Sequence, residues 1–217
     1  DMSPLVLFYS PGACSLAVHA ALLQAGAEFE AVRVDLRQKQ QLAGEYLRLN
    51  PQGRVPTLAV DGRPLVEVVA IADYLDRRFP DAGLLPREDF DRGRDLAAIL
   101  RLSSDIHPLY RALWIPGWFA DDEAAHEAMK ATAARRLREF HVELERRLDE
   151  GDWGTGEPEG FLAFYTAVFL RWSSAVGPAG LGPRCEALRA RLAGHPALAR
   201  ALAVEGIALD TLKRLTD

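Results

Sequence analysis

The sequence predicts a two-domain protein, with an α/β domain over residues 1–80 followed by an all-α domain over residues 87–217. Strand and helix signals alternate through the first part in the order β-α-β-α-β-β-α, and strand signals disappear after a Pro/Gly linker at residues 81–86. The first order fits one sheet with a parallel pair, a hairpin and helices on both faces. The remainder carries only helical periodicity.

The first predicted strand is the continuous apolar run 5–9, which is typical of a strand buried on both faces. Ser10-Pro11-Gly12 breaks this run, and residues 13–25 then predict a helix that Gly26 ends.

A second strand at residues 29–34 follows, and then a short polar helix over residues 38–49. The helical spacing of Leu42, Tyr46 and Leu49 predicts that these three side chains face inward.

A hairpin follows, because Asp61-Gly62 is a strong two-residue turn signal between the apolar strands 57–60 and 64–66. A helix comes directly after it, since apolar residues recur at helical steps at Val68, Ala72, Leu75 and Phe79.

Two details of this unit indicate ligand binding rather than packing alone. Pro56 cannot donate to a ladder, so it belongs at the first position of a strand and is a candidate for a cis peptide. That placement leaves the backbone of Val55 free to pair with an extended ligand. Glu67 falls at a helix start, where free N–H groups favour anionic groups. We therefore expect a peptide-like ligand, held by main chain and carboxylate.

The second domain is predicted from helical stripes of apolar residues. The third stripe is very apolar and is therefore expected to be central. Shorter closing helices are expected at residues 188–192 and 198–209. The stripes are Leu96, Ile99, Ser103, Ile106 and Tyr110; Met129, Ala133, Leu137, Phe140, Leu144 and Leu148; and Phe161, Phe164, Val168 and Trp172.

Composition narrows the possible partners and location. The net charge of −5 argues against nucleic acid as the main partner. The two cysteines, Cys14 and Cys185, argue against a disulfide framework, and Cys185 is interpreted as packing. No signal peptide or apolar run of membrane-spanning length is visible, so we expect a cytoplasmic protein with no membrane partner. The histidines show no metal-ligand spacing, and no metal is expected.

Cys14 is the candidate nucleophile. It follows a strand and a Pro-Gly turn, in the first turn of a helix, where N–H groups and the helix dipole would lower the thiol pKa. The alternative is an inert, buried cysteine. Because Ala17 stands where a C-x-x-C motif would place a second cysteine, exchange with a small external thiol is favoured over dithiol chemistry. Ser10 and Ser15 either cap the helix or donate to a thiolate.

Three segments resemble the bacterial beta-class glutathione transferases, and the match runs through essentially the whole chain. They are Tyr9-Ser10-Pro11-Gly12-Ala13-Cys14-Ser15, Asn50-Pro51-Gln52-Gly53-Arg54-Val55-Pro56 and the nine residues that begin at Glu67. The resemblance implies a thioredoxin-like N-terminal domain, an all-helical C-terminal domain, a homodimer and glutathione as the thiol substrate.

The resemblance also implies roles for individual residues. Cys14 faces the glutathione sulfur, and Ser10 and His107 assist thiolate formation and proton transfer. The backbone of Val55 pairs with the cysteinyl part of glutathione. Ser104 and Asp105 contact glutathione across the dimer. The implied glutathione-binding set is Tyr9, Cys14, Lys39, Val55, Pro56, Glu67, Val68, Ser104, Asp105 and His107.

Three positions depart from the family pattern. Val68 lacks the usual hydroxyl after the acidic residue, and Leu100 stands where an amide is usual. Gly160 and Ala163 occupy the places of a capping box, whose loss costs about 0.5–2 kcal/mol. Glu157 or Glu159 is a candidate to compensate at that helix start.

The expected activity is conjugation of glutathione to a small apolar electrophile, or thiol–disulfide exchange. Trp114, Trp118 and Phe119 belong either to the core or to the pocket of the second substrate. The alternatives are a non-catalytic interaction module, which the three departures favour, and a glutathione-dependent isomerase or dehalogenase.

Overall fold

The computed structural model describes residues 4–154, 159–177 and 180–212. A four-stranded sheet has the order β2-β1-β3-β4, in which β1 pairs parallel to β2 and antiparallel to β3, and β3 pairs antiparallel to β4. Nine helices belong to the described residues, three before and six after residue 80. The strands are β1 (Leu5–Tyr9), β2 (Phe29–Arg33), β3 (Thr57–Val60) and β4 (Arg63–Val66); the helices are α1 (Ser15–Gln24), α2 (Gly44–Leu49), α3 (Val68–Arg78), α4 (Asp89–Arg101), α5 (His107–Trp114), α6 (His126–Asp149), α7 (Phe161–Trp172), α8 (Pro183–Ala193) and α9 (Pro196–Glu205).

The predicted sheet is confirmed, with helices on both faces. Leu5, Leu7 and Tyr9 of β1 are buried in the main core with α1 and α3. On the other face, the half-buried Phe8 packs edge-on against Tyr46 of α2, with 5.8 Å between ring centroids. The prediction that β1 is buried on both faces is thus only partly correct, because Phe8 and Val6 stay partly exposed.

The hairpin prediction is confirmed, with its turn and first strand correct to the residue and its second strand beginning one residue earlier, at Arg63. Asp61 and Gly62 both have positive φ, 51° and 74°, as a two-residue turn of this kind requires. The turn returns the chain so that Leu58 lies opposite Leu65.

The continuous helix predicted over residues 38–49 is wrong. Lys39 adopts a left-handed conformation and Ala43 an extended one, so the segment forms a short 3₁₀ turn followed by α2. Tyr46 is buried as predicted, but Leu42 is 54% exposed because it lies in the separate turn.

The helical second part is also as predicted in outline. Every residue of α7 is buried, which confirms that it is the central helix. Helices α4 and α5 are joined by a π-helical turn at Leu102–Ile106 and run on continuously. The helix predicted over residues 198–209 is too long, because α9 stops at Glu205, where Gly206 takes a φ of 65°.

The start of α7 explains the missing capping box. Gly160 is the N-cap residue and makes no side-chain cap bond. A Cβ there would lie 2.6 Å from the Leu84 carbonyl oxygen, which accepts a hydrogen bond from the Phe161 N–H. The close backbone approach therefore requires glycine where a capping serine is usual. Glu159 does not compensate, since it pairs with Arg191, and Glu157 lies outside the described residues.

Candidate active site

A cleft of about 460 Å³ lies where the two predicted domains meet. This volume falls in the range of small-molecule sites. The first part of the chain contributes the cysteine loop, the segment before β3 and the start of α3, and the second part contributes α5, the π turn, α7 and the loop after α5. Its lining is Cys14, Asn50, Gln52, Arg54, Val55, Pro56, Val66, Glu67, Val68, Ser103, His107, Pro108, Arg111, Trp118, Phe119 and Tyr165.

Cys14 is the N-cap residue of α1 and is only 6% exposed. Its Sγ donates to the Val55 carbonyl oxygen at 3.3 Å. Burial raises the pKa of the thiol to about 12, and the nearby Arg111 guanidinium opposes this rise only in part. The expected lowering of the pKa at the helix start is therefore wrong for this state, because removal from water outweighs the backbone N–H groups. Cys14 is a neutral donor here.

The Val55–Pro56 peptide bond is cis, as the sequence suggested. The Val55 carbonyl oxygen is engaged by the Cys14 thiol. The described residues provide no acceptor for the Val55 N–H. The expected main-chain edge is thus present. Its carbonyl oxygen accepts from the Cys14 thiol, and its N–H has no acceptor among the described residues.

Glu67 lines the same cleft as the N-cap residue of α3, with φ 71° and ψ 121°. Such a conformation costs a non-glycine residue about 1–3 kcal/mol and is found mainly at functional sites. The Glu67 side chain makes no cap bond, so it is not used to stabilise the helix. Its exposed carboxylate is available to a ligand.

His107 opens α5 and packs against Trp172 with a ring-centroid distance of 5.0 Å. Burial, together with the charges of Arg111 and Arg54, lowers its pKa to about 4. His107 is therefore neutral at pH 7 and can accept a proton.

Five other predicted site residues lie outside the cleft lining. Tyr9 and Ser10 are buried, with 6% and 3% exposure, and the Ser10 N–H and carbonyl both bond to the Ser15 hydroxyl. Lys39 is exposed in its left-handed turn. On the π turn, the exposed Ser104 donates to the Leu100 carbonyl, and Asp105 lies 3.9 Å from Arg101. The other six predicted site residues do line the cleft within one chain. They are Cys14, Val55, Pro56, Glu67, Val68 and His107.

Sequence reasoning missed three cleft residues that carry polar chemistry. Tyr165 of α7 is fully buried, and its hydroxyl makes no hydrogen bond of ordinary length among the described residues, although Ser103 lies close enough to act on its pKa. Arg54 and Arg111 place their guanidinium carbons 4.9 Å and 4.1 Å from the ring centre of Trp118. Tyr165 lies between members of the third apolar stripe and was not singled out, whereas Arg111 could have been found one helical turn after His107.

A buried polar network from the second domain holds the cysteine loop. Glu205 of α9 accepts from the Gly12 N–H at 2.8 Å and contacts His19 Nδ1 at 3.0 Å. Trp172 donates to the Gly12 carbonyl oxygen at 2.9 Å. Gly12 has a φ of 72°, a conformation that favours glycine, and a Cβ there would also lie 2.6 Å from the guanidinium of Arg171. The position of Cys14 is therefore set by both domains.

Other features of the described residues bear on the sequence expectations. Cys185 is a free, fully buried thiol whose pKa burial raises to about 12. Across residues 4–154, 159–177 and 180–212, no helix is long and apolar enough to cross a membrane. Over the same ranges, no three or more His, Cys, Asp or Glu side chains cluster as a metal site would need.

A cis-proline main-chain edge, a cysteine at a facing helix start and a helical domain closing the cleft define a two-domain thiol transferase with a thioredoxin-like first domain. Residues 3–77 match the model of the glutathione S-transferase N-terminal domain. The chain is 33% identical over 206 residues to glutathione S-transferase GstA of Escherichia coli O157:H7, covering 93% of this chain and 98% of that protein. The chain therefore belongs to the glutathione S-transferase family.

Solved structures agree with this assignment. A sphingomonad glutathione S-transferase complexed with glutathione is 37% identical, with a TM-score of 0.79 over 94% of this chain and 100% of that one. A beta-class enzyme from Sphingomonas chungbukensis is 33% identical, with a TM-score of 0.78 over 94% of this chain and 100% of that one. The resemblance to bacterial beta-class enzymes and the predicted fold class are thus confirmed.

Proposed function

We propose that this glutathione transferase binds glutathione in the cleft and activates its thiol for attack on an electrophile. In this proposal the ligand's cysteinyl main chain pairs with Val55, the Glu67 carboxylate meets the γ-glutamyl ammonium, and the Val68 N–H meets the γ-glutamyl carboxylate. The observation that carries it is the pairing of Cys14 Sγ with the Val55 carbonyl oxygen, which joins the thiol to the ligand-binding edge.

This pairing couples binding to activation. A ligand N–H that donates to the Val55 carbonyl competes with the Cys14 thiol for the same oxygen. The displaced S–H is then free to donate to the ligand sulfur, and the Tyr165 hydroxyl on the cleft lining supplies a second donor. Hydrogen bonds to a charged group contribute about 1.5–3 kcal/mol each. Two of them are sufficient to lower a thiol pKa by about 2 units, which requires about 2.7 kcal/mol.

His107 supplies the base in this proposal. Because its pKa is lowered to about 4, the imidazole is neutral at pH 7 but a weak base, so it passes the proton of the glutathione thiol on to water rather than retaining it. The thiolate then attacks the electrophilic carbon, and the leaving group departs with its bonding electron pair.

We further propose a cytoplasmic homodimer that acts in detoxification, as the resemblance implies. Exposed apolar side chains on α4, Phe90 at 73% and Leu100 at 50%, support such an interface, and Ser104 and Asp105 lie beside Leu100. Light scattering behind a sizing column tests the dimer, and a monomer at micromolar concentration would contradict it.

The thiol assignment is tested by exchange with glutathione disulfide. Because burial raises the pKa of the Cys14 thiol to about 12, the incubation is made at alkaline pH, where the thiolate fraction is larger. Attack by this thiolate forms one protein–glutathione disulfide and releases one glutathione thiolate. We expect intact-mass spectrometry to show one added glutathionyl group in the wild-type protein and in Cys185→Ala, and none in Cys14→Ala. Since the two variants each remove one of the two cysteines, an adduct that persists in Cys14→Ala would contradict the assignment.

A further inference from the structure

Two arginines form a cationic pair on one side of the cleft. Arg111 lies on α5, one turn beyond His107, and its side chain is partly buried. Its guanidinium carbon stands 4.1 Å from the centre of the Trp118 ring, and that of Arg54 stands 4.9 Å from the same ring. The indole thus holds two positive groups close to each other. The two charges repel each other. Burial is the largest cause of the lowered pKa of Arg111, and the positive charge of Arg54 is the second.

Neither guanidinium has a carboxylate partner among the described residues. By contrast, two partly buried arginines elsewhere are paired with carboxylates: Arg92 bonds to Asp76 at 2.6 Å, and Arg101 bonds to Glu143 through both of its terminal nitrogens. The Glu67 carboxylate of the same cleft acts on the charge of Arg111 but forms no ion pair with it, so the donors of both guanidiniums stay unfilled by a carboxylate. A guanidinium presents a fork of donors that matches a carboxylate, so an unfilled pair in a cleft indicates an anionic ligand.

The two arginines differ in which ligand they face. Arg54 adjoins Val55, the edge proposed for glutathione, so one of the two glutathione carboxylates accounts for it. Arg111 comes from the helical domain, together with Trp118 and Phe119, whose side chains are 55% and 51% exposed. These rings offer the apolar surface expected for a second substrate.

We infer that the second substrate is an electrophile that carries an anionic group, such as an aromatic carboxylate, and that Arg111 binds that group while Trp118 and Phe119 contact the ring. The inference rests on the proposed glutathione transfer and specifies its substrate class. It replaces the purely apolar electrophile that the sequence suggested.

A matched pair of aryl chlorides tests the inference, 4-chloro-3,5-dinitrobenzoate and the isosteric, neutral 4-chloro-3,5-dinitrobenzamide. In both reactions the glutathione sulfur bonds to the ring carbon, chloride leaves with its bonding pair, and the thiol proton passes through the base to water. Each kcat/KM is divided by the uncatalysed rate constant of the same substrate. The measured quantity is the carboxylate-to-amide ratio, in which effects on glutathione binding cancel because they are common to both reactions.

We expect Arg111→Gln to lower this ratio about tenfold, and Arg135→Gln, which removes an exposed arginine of α6, to leave it unchanged. Arg54→Gln is expected to raise the KM for glutathione and to leave the ratio within about twofold of the wild-type value. A ratio that does not change in Arg111→Gln would overturn the inference, as would an equal fall in Arg135→Gln.

Two further measurements keep the inference testable. If Arg111→Gln does not fold, a salt series on the wild-type protein replaces it: the ratio should fall with ionic strength, and a constant ratio contradicts the inference.

If the wild-type protein turns over neither chloride, the proposed transfer is wrong, and calorimetry with the two finished thioether conjugates decides the inference separately. Weaker binding of only the carboxylate conjugate by Arg111→Gln supports it, and equal weakening of both overturns it.

Discussion

The two walls of the cleft differ in whether the group proposed to meet the glutathione sulfur is paired within the protein. On the wall from the first domain, the Cys14 thiol is paired with Val55, and the loop that carries it is anchored by Glu205. On the helical wall, the Tyr165 hydroxyl and the Arg111 guanidinium find no acceptor among the described residues. The thiol of the first wall is therefore held by the protein, although the Val55 N–H and the Glu67 carboxylate stay open to a ligand, whereas the hydroxyl and the guanidinium of the helical wall would find their partners only on a ligand.

This difference accords with the proposed division of labour. The first wall would meet glutathione, a ligand of fixed structure, so its recognition can be built into a short local motif. The helical wall would meet the electrophile, and its residues come from α5, α7 and the loop between α5 and α6. Unsatisfied donors there cost stability, and the proposed contact with a ligand would explain why they are retained.

The anchoring of the first wall predicts the largest effect. Glu205→Ala removes the acceptor of the Gly12 N–H and the partner of His19, both of them buried. Breaking a buried pair by removal of one partner costs about 3–5 kcal/mol. We expect urea denaturation to show a loss of about 3 kcal/mol in the free energy of unfolding, and calorimetry to show weaker glutathione binding.

Glu186→Ala is the matched control, since Glu186 pairs with Arg189 on α8 and is 43% exposed. It should cost less than about 1 kcal/mol. Equal losses in the two variants would show that the first wall does not depend on the second domain.

The second prediction concerns pH and the helical wall. The pKa of His107 is about 4 in the folded protein, below its ordinary value of 6.5, because burial and two arginines disfavour the charged ring. The unfolded chain therefore binds a proton between these values that the folded chain does not. The contribution of the neutral His107 ring to the free energy of unfolding is fully present above pH 6.5. It decreases as the pH falls from 6.5 and is lost below about pH 4.

His107→Asn should remove this dependence. We expect the stability difference between the wild-type protein and the variant to change by about 3 kcal/mol between pH 7 and pH 4, as measured by denaturation at each pH. His126→Asn, outside the cleft lining, is the control. A parallel pH dependence in His107→Asn and the wild-type protein would mean that His107 is not held neutral.

The sequence predicted the first wall far better than the second. The turn chemistry of Asp61-Gly62 located both strands of the hairpin, and the position of Pro56 at the entry to β3 indicated its cis peptide. Such features depend on neighbours along the chain. Glu67 was placed at the helix start, but its strained backbone, with φ 71°, has no signal in the sequence.

The helical wall was poorly predicted because its polar residues lie within helical patterns. Tyr165 is surrounded by apolar residues in α7, so its spacing indicated core. The contact between Glu205 and Gly12 joins residues 193 positions apart, which periodicity does not reveal. The error at residues 38–49 has another cause, since the left-handed Lys39 breaks a pattern whose spacing alone is helical.

The smallest expected effect, at Tyr165, separates stability from activity most clearly. Tyr165→Phe removes a buried hydroxyl that bonds to nothing in the described part of the chain. Because an unsatisfied buried donor costs about 1–3 kcal/mol, the variant should be as stable as the wild-type protein or about 1 kcal/mol more stable. Its kcat should fall about tenfold, and the pKa of bound glutathione, followed by thiolate absorbance, should rise by about 1 unit, since one donor to the sulfur is lost.

Tyr110→Phe is the matched control for this prediction. Its hydroxyl is also buried but bonds to His141 at 3.2 Å, so its removal should lower stability and leave the thiolate absorbance unchanged. If Tyr165→Phe were destabilised like Tyr110→Phe, with no change in the glutathione pKa, the hydroxyl would serve packing, and the two walls would not differ as argued. A stable variant with a raised glutathione pKa would instead place a sulfur donor on the helical wall, opposite Cys14.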